Sequence, residues 1–254
     1  MTTEYNDYAD IRGIFGDQRK GKSTLATMFA IDDYLSKMTR IIDSNGEYCD
    51  ARCLTGDEIE RLHKQGINAH PATHCMIFNG NHSQSKIIEL PKKCMIESPV
   101  KIFANYTLYG VYYVPMDLEL LISYINTDLI TDAWVLMDET GTNDARNSMT
   151  REGKLSAQFG AQAGKRGLHL ITIAQYLEQI ERRYRLFKTT TIEAKEYDKI
   201  NHIITCDFQF GGEPTETDVE IYAKPYHRFF NTKEIIKMPQ HQIDAAMANI
   251  TGAR

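Results

Sequence analysis

The chain has 254 residues, of which 25% are charged and 42% hydrophobic, with seven prolines and no compositional bias. That composition excludes a disordered chain, a collagen-like repeat and a small disulfide scaffold, and the length suffices to bury a core without metals or cross-links. A formal net charge of −5 excludes a protein that coats nucleic acid or an anionic membrane with its whole surface, so any anionic partner must meet a local basic patch.

Residues 1–10 are polar and acidic, without the basic flank and apolar block of a secretory signal. No run approaches the ~18 apolar residues that span a bilayer, and a cytoplasmic chain is expected. Residues 8–15 predict a short strand. Leu25, Met28, Phe29, Leu35 and Met38 then recur at helical spacing, so the order is strand, glycine-bearing loop, helix. From about 40 to 98 the pattern is irregular and polar apart from one amphipathic helix near 56–65, and this stretch is expected to be an insertion. Strands are predicted at 100–105 and 109–114, followed by a helix around 117–125. Ala133 to Met137 is nearly all apolar, which suits a strand buried on both faces of a parallel sheet. A small-residue helix around 155–163, a strand at 168–174 and a helix carrying Leu177, Ile180 and Tyr184 continue the alternation of a doubly covered sheet. Two β-rich segments, 202–210 and 217–224, are joined by Gly211-Gly212-Glu213-Pro214, a hairpin signature with a loop longer than two residues. A tail starts near 232.

Gly16-Asp17-Gln18-Arg19-Lys20-Gly21-Lys22-Ser23, followed by Thr24, fits the phosphate-loop pattern G-x-x-x-x-G-K-[ST]. In such a loop the glycines allow close approach, backbone N–H groups point at phosphate oxygens, the lysine reaches the β and γ phosphates and the serine is a Mg²⁺ ligand. ATP and Mg²⁺ are the expected cofactors. A hydrolase also needs a second acid for the metal and a group that activates water. Asp138 and Glu139 end the apolar run 133–137 and supply both, Asp138 near Ser23 and the metal, Glu139 as the base. An acidic turn after a core strand is the plain alternative. Gln175 ends the strand 168–174, where its amide can sense the γ-phosphate or simply cap the strand.

With these stations in place the chain resembles the HerA/FtsK superfamily of P-loop ATPases, and within it the genome-packaging ATPases of phages and archaeal viruses. The likeness covers 8–38 and about 100–190; its most specific stretch is Ala163-Gly164-Lys165-Arg166-Gly167 running into the strand that ends at Gln175. It implies a RecA-like α/β fold with a mostly parallel, helix-covered sheet. Residues 1–231 would be one ATPase domain, with an insertion at 40–98, a β-rich extension at 200–225 and a tail at 232–254. The family further implies a homo-oligomeric ring, pentamer or hexamer, that hydrolyses ATP to pull double-stranded DNA, docked at a capsid portal or membrane vertex. An arginine acting on a neighbouring subunit's nucleotide is implied too: Arg166 is the first candidate, Arg146 and Arg151 the others. FtsK-type chains usually follow the glutamine with Arg-Pro, whereas Tyr176 stands here. Zot-like proteins of filamentous-phage assembly share the same motifs and give an alternative, a nucleotide-switched assembly protein; a small-molecule or nucleotide kinase is a further one.

Lys165, Arg166, Arg182, Arg183, Arg185 and Lys188 face only Glu178 and Glu181 in sequence, six cations against two carboxylates. They suit either a duplex-gripping patch or a helix laced by i,i+4 ion pairs. Cys49, Cys53, His70 and His74 have the ligand types of a zinc site, though not the spacing of common fingers. Five cysteines, an odd number, otherwise fit reduced thiols.

Overall fold

The computed structural model of the chain describes residues 11–79, 84–116, 131–138, 163, 166–177 and 190–230. Its framework is an eight-stranded sheet. The first strand, β1 (Ile11–Phe15), feeds the glycine loop and helix α1 (Lys22–Ser36). A second, five-stranded sheet follows, made of β2 (Arg40–Ile42), β3 (Tyr48–Cys53), β4 (His74–Asn79), β5 (Gln84–Glu89) and β6 (Met95–Glu97), with helix α2 (Gly56–Lys64) between β3 and β4. The chain then returns to the large sheet as β7 (Lys101–Ala104), β8 (Val114–Pro115), β9 (Ala133–Met137) and β10 (Leu168–Ile173). The large sheet closes with β11 (Thr190–Asp198), β12 (Ile203–Phe210) and β13 (Glu213–Tyr222).

Strand order in the large sheet is β13-β12-β11-β1-β10-β9-β7-β8. The pairs from β11 to β8 are parallel, and only the hairpin β12–β13 and its junction with β11 are antiparallel. The fold is therefore α/β with a mostly parallel sheet. β10 lies between the loop-bearing β1 and the aspartate-bearing β9, the RecA-like order.

β9 shows why the parallel core forms. All five of its residues are buried. Trp134 and Leu136 join the cluster beneath α1, while Ala133, Val135 and Met137 join the cluster on the opposite face. That alternation is the period-two geometry of a strand covered on both sides. Each large side chain so buried contributes roughly 1.5–3 kcal/mol. Helix α1 rests on β1, β9 and β10 and also touches β3. Sitting between two sheets, it buries nine residues, Thr24 and Thr27 among them, as expected of a helix covered on more than one side. Tyr34 fastens it to the second sheet: its hydroxyl donates to the carbonyl of Ile96 at 2.7 Å and accepts from the N–H of Tyr112 at 3.2 Å.

The structure corrects several expectations. The stretch 40–98 is not irregular. It is an antiparallel sheet ordered β5-β4-β3-β2-β6, with α2 in a capping box in which Thr55 and Glu58 bond each other's backbone N–H groups. Its strands are short and mostly polar on one face, which hid their alternation. In 109–114 the expected strand shrinks to β8. β11, not expected at all, is the parallel partner of β1. The β12–β13 turn is shorter than predicted: β13 begins at Glu213, leaving a two-residue turn in which Gly211 and Gly212 have φ of 62° and 88°, the I′ pattern that matches strand twist. The helices expected at 117–125, 155–163 and 177–188 and the tail at 232–254 lie outside the described residues, apart from Ala163 and Leu177 at their ends.

Candidate functional site

β1, β7, β9 and β10 run in parallel, so the residues that follow them gather at one edge of the sheet, where ligands collect in open α/β folds. Gly16 follows β1, Asn105 follows β7, Asp138 follows β9, and Gln175 lies just past β10. The loop is stitched to this edge: the N–H of Gly16 donates to the carbonyl of Gln175 at 3.2 Å, and that of Ala174 to Ile14 at 2.9 Å.

Gly16 has φ 137°, and a Cβ placed on it would lie 2.4 Å from the carbonyl oxygen of Ala194 in β11. Glycine is required here by backbone angle and by the closeness of the neighbouring strand. Left-handed residues at Arg19 and Gly21 curl the rest of the loop, a turn in which successive N–H groups can converge on an anion. Gly21 is the N-cap of α1, and neither a capping side chain nor an acidic residue occupies the first helical turn. The positive end of α1 thus has no anion from its own first turn, which suits it to a phosphate. Lys22 Nζ donates to the carbonyls of Gly16 and Asp17, both at 2.7 Å, which places its ammonium over the mouth of the loop.

The two expected metal ligands meet. Ser23 Oγ donates to Asp138 Oδ2 at 2.5 Å across 115 positions of sequence. A hydroxyl and a carboxylate are hard oxygen donors, and together with phosphate oxygens they match what Mg²⁺ takes. By donor chemistry the residues fit a magnesium nucleotide: Gly16 to Thr24 for the phosphates, Ser23 and Asp138 for the cation.

Two residues that sequence reasoning missed hold this pair. Asn105 Oδ1 accepts from the N–H of Asp138 and Asn105 Nδ2 donates to the carbonyl of Asp138, both at 2.8 Å. Tyr106 Oη lies 3.0 Å from Thr27 Oγ1, which itself donates to the carbonyl of Ser23 at 2.8 Å. Burial, reinforced by the charge of Asp138, raises the Tyr106 phenol above its ordinary pKa and keeps it protonated. No local motif marks either residue. The available signal was polarity at the end of a strand beside the aspartate strand.

The remaining candidates fall elsewhere. Arg166 precedes β10, and its carbonyl accepts from the N–H of Asp132, just ahead of β9. It therefore sits at the opposite end of the sheet from Lys22, away from this chain's own phosphate loop. Glu139, Arg146, Arg151 and, Arg166 aside, the basic residues of 165–188 lie outside the described residues. Among the described residues no three metal-ligating side chains come together, so the zinc expectation for Cys49, Cys53, His70 and His74 has no support. Cys49 and Cys53 are on β3, where burial raises the Cys53 thiol. Adjacent Cys75 is pushed up to about 12, also by burial, which disfavours the thiolate a metal needs. The Nδ1 atoms of His70 and His74 are engaged by Ala72 N–H and Thr73 Oγ1.

No protein-family profile matches the chain and no curated protein matches it. Among solved structures it is similar to the N-terminal domain of zonular occludens toxin from Neisseria meningitidis, at 13% identity and a TM-score of 0.42, over 91% of this chain and 95% of that one. It is also similar to ATPases 2 and 3 of EssC from Geobacillus thermodenitrificans, at 11% identity and a TM-score of 0.36, over 97% of this chain and 44% of that one. Likenesses this distant assign no function; the chain's own strand order, its glycine loop and the Ser23–Asp138 contact make the fold that of a P-loop NTPase.

Proposed function

We propose that the protein is an ATP-hydrolysing motor that moves double-stranded DNA, working as a ring and packaging a viral genome. The observation that carries the hydrolytic half is the contact between Ser23 and Asp138, which joins the phosphate loop to the strand end from which Glu139 follows. Lys22 and the loop N–H groups hold the phosphates, Ser23 and Asp138 take the cation, and Glu139 accepts the proton of the attacking water. Magnesium bound there would neutralise charge building on the phosphate oxygens. Gln175 is bonded through its carbonyl to the first loop residue, so a change at the γ-phosphate has a direct route into β10. Arg166, at the far end of that strand, is the residue we assign to a neighbouring subunit's nucleotide. The DNA-moving half rests on the resemblance of 163–175 to packaging motors and on the six cations of 165–188.

A duplex carrying a third strand tests the whole reading. With ATP the full chain should strip the third strand, and Glu139→Ala should bind nucleotide, leave it intact and strip nothing. Turnover of Glu139→Ala at the normal rate removes Glu139 from its role. Hydrolysis by the parent chain with no stripping points to an assembly switch, and phosphate transfer to a small acceptor, indifferent to DNA, points to a kinase.

A further inference from the structure

The dipeptide Asn105-Tyr106 follows β7, the strand beside β9, and its two side chains reach the two halves of the cation site. Asn105 makes a pair of hydrogen bonds with the backbone of Asp138, accepting from its N–H and donating to its carbonyl. Its own N–H donates to the carbonyl of Leu136 at 3.2 Å, so main chain and side chain together tie it to the aspartate strand. Tyr106 serves the other half. A hydroxyl has a single proton to give, and that of Thr27 goes to the carbonyl of Ser23. The phenol must then be the donor in the Tyr106–Thr27 bond, and the relay runs Tyr106 to Thr27 to Ser23. Thr27 is wholly buried.

We propose that Asn105 and Tyr106 act as one positioning clamp that sets the separation of Ser23 Oγ and Asp138 Oδ2 for the cation. This deepens the hydrolase reading above and rests on it. The physical reason is the narrow tolerance of Mg²⁺, which demands near-octahedral oxygens at about 2.0–2.1 Å. Ser23 rides on a helix and Asp138 follows a strand, and nothing in the covalent chain between them fixes their distance. Two consecutive residues just past a third element, one bonded to each side, do. Partners of this outer kind are typically worth 10–100-fold in metal affinity.

The test is binding of a fluorescent ATP analogue by the full chain while Mg²⁺ is titrated into chelator-treated protein. Asn105→Ala and the double variant Thr27→Val/Tyr106→Phe should each need about tenfold more Mg²⁺ for half-effect. Their affinity for the analogue without Mg²⁺ should stay at the parent value. The double variant removes both hydroxyls together, which limits its cost in stability, and it decides the matter alone where Asn105→Ala does not fold. Thr27→Ser keeps the relay and should keep the parent midpoint. An unmoved midpoint in the variants, or an equal loss of affinity without Mg²⁺, overturns the clamp while leaving nucleotide binding in place. A parent chain that binds no analogue under any condition overturns the hydrolase reading and the clamp with it.

Discussion

Replacing Gly16 by alanine probes the place where the phosphate loop crosses the sheet. The added methyl would stand 2.4 Å from the carbonyl oxygen and 3.2 Å from the carbonyl carbon of Ala194, both backbone atoms of β11. Relief by side-chain rotation is therefore closed, and β1 and β11 would have to part by about 1 Å to reach an ordinary contact. Forcing a side chain onto φ 137° costs about 1–3 kcal/mol, and overpacking adds about 1–3 kcal/mol. The sum, about 2–6 kcal/mol, is a large part of the 5–15 kcal/mol by which a domain is stable. Trp134 is the chain's one tryptophan and is 3% exposed, so its fluorescence follows unfolding of the sheet. Urea unfolding by that signal should show the loss, and nucleotide binding should fall with it. A variant within 0.5 kcal/mol of the parent, with unchanged nucleotide binding, would refute the placement of β11 against the loop.

Other perturbations test the packing around the site. Tyr34→Phe deletes the bond from α1 to Ile96 in the second sheet and the bond from Tyr112, and should cost about 1–3 kcal/mol in the same urea assay. Trp134→Phe removes the 2.8 Å bond from Nε1 to Asp33 and replaces the indole stacked on His169 with a smaller ring. Thermal melting should place it about 1–3 kcal/mol below the parent. The Arg52 guanidinium, bonded to both carboxylate oxygens of Glu58, holds that carboxyl down to about 2, helped by the N–H of Thr55. A depressed acid stabilises the fold fully above its unfolded pKa, about 4.5, and that contribution drains away as pH falls from there towards 2. The pair is partly open to solvent, so about 1 kcal/mol is expected after screening. Glu58→Gln should lose that amount at pH 7 and show a flatter melting profile between pH 4.5 and 2.

The readable part of this molecule is the part written locally. Gly16 to Ser23 carries its own spacing rule, and the run 133–137 announces a doubly covered strand whose next residue must emerge at the sheet edge. Those two facts predict the Ser23–Asp138 encounter. Asn105 and Tyr106 escaped because their importance arises only when β7 pairs with β9, a long-range match that leaves no periodic trace. β11 escaped for a different reason. Its first half is β-branched, Thr190-Thr191-Ile192, but Lys195, Glu196 and Asp198 in its second half made the stretch look like a connection. The second sheet was hidden by strands as short as three residues, β2 and β6, which pair with each other across a long stretch of sequence: Ile41 lies opposite Ile96. Arg166 was singled out by its place beside a motif, and its distance from this chain's own phosphate loop emerges only from the direction of β10, which it precedes.

ATP hydrolysis by the full chain, measured with and without double-stranded DNA and alongside the mass of the particle in solution, tests the motor most directly. A ring that grips phosphates through cations from several subunits should turn over ATP several-fold faster on DNA, and the stimulation should collapse between 50 mM and 200 mM salt as counterions compete. The mass should be that of a pentamer or hexamer under the stimulated condition. A monomer whose turnover is the same with and without DNA would contradict the proposal.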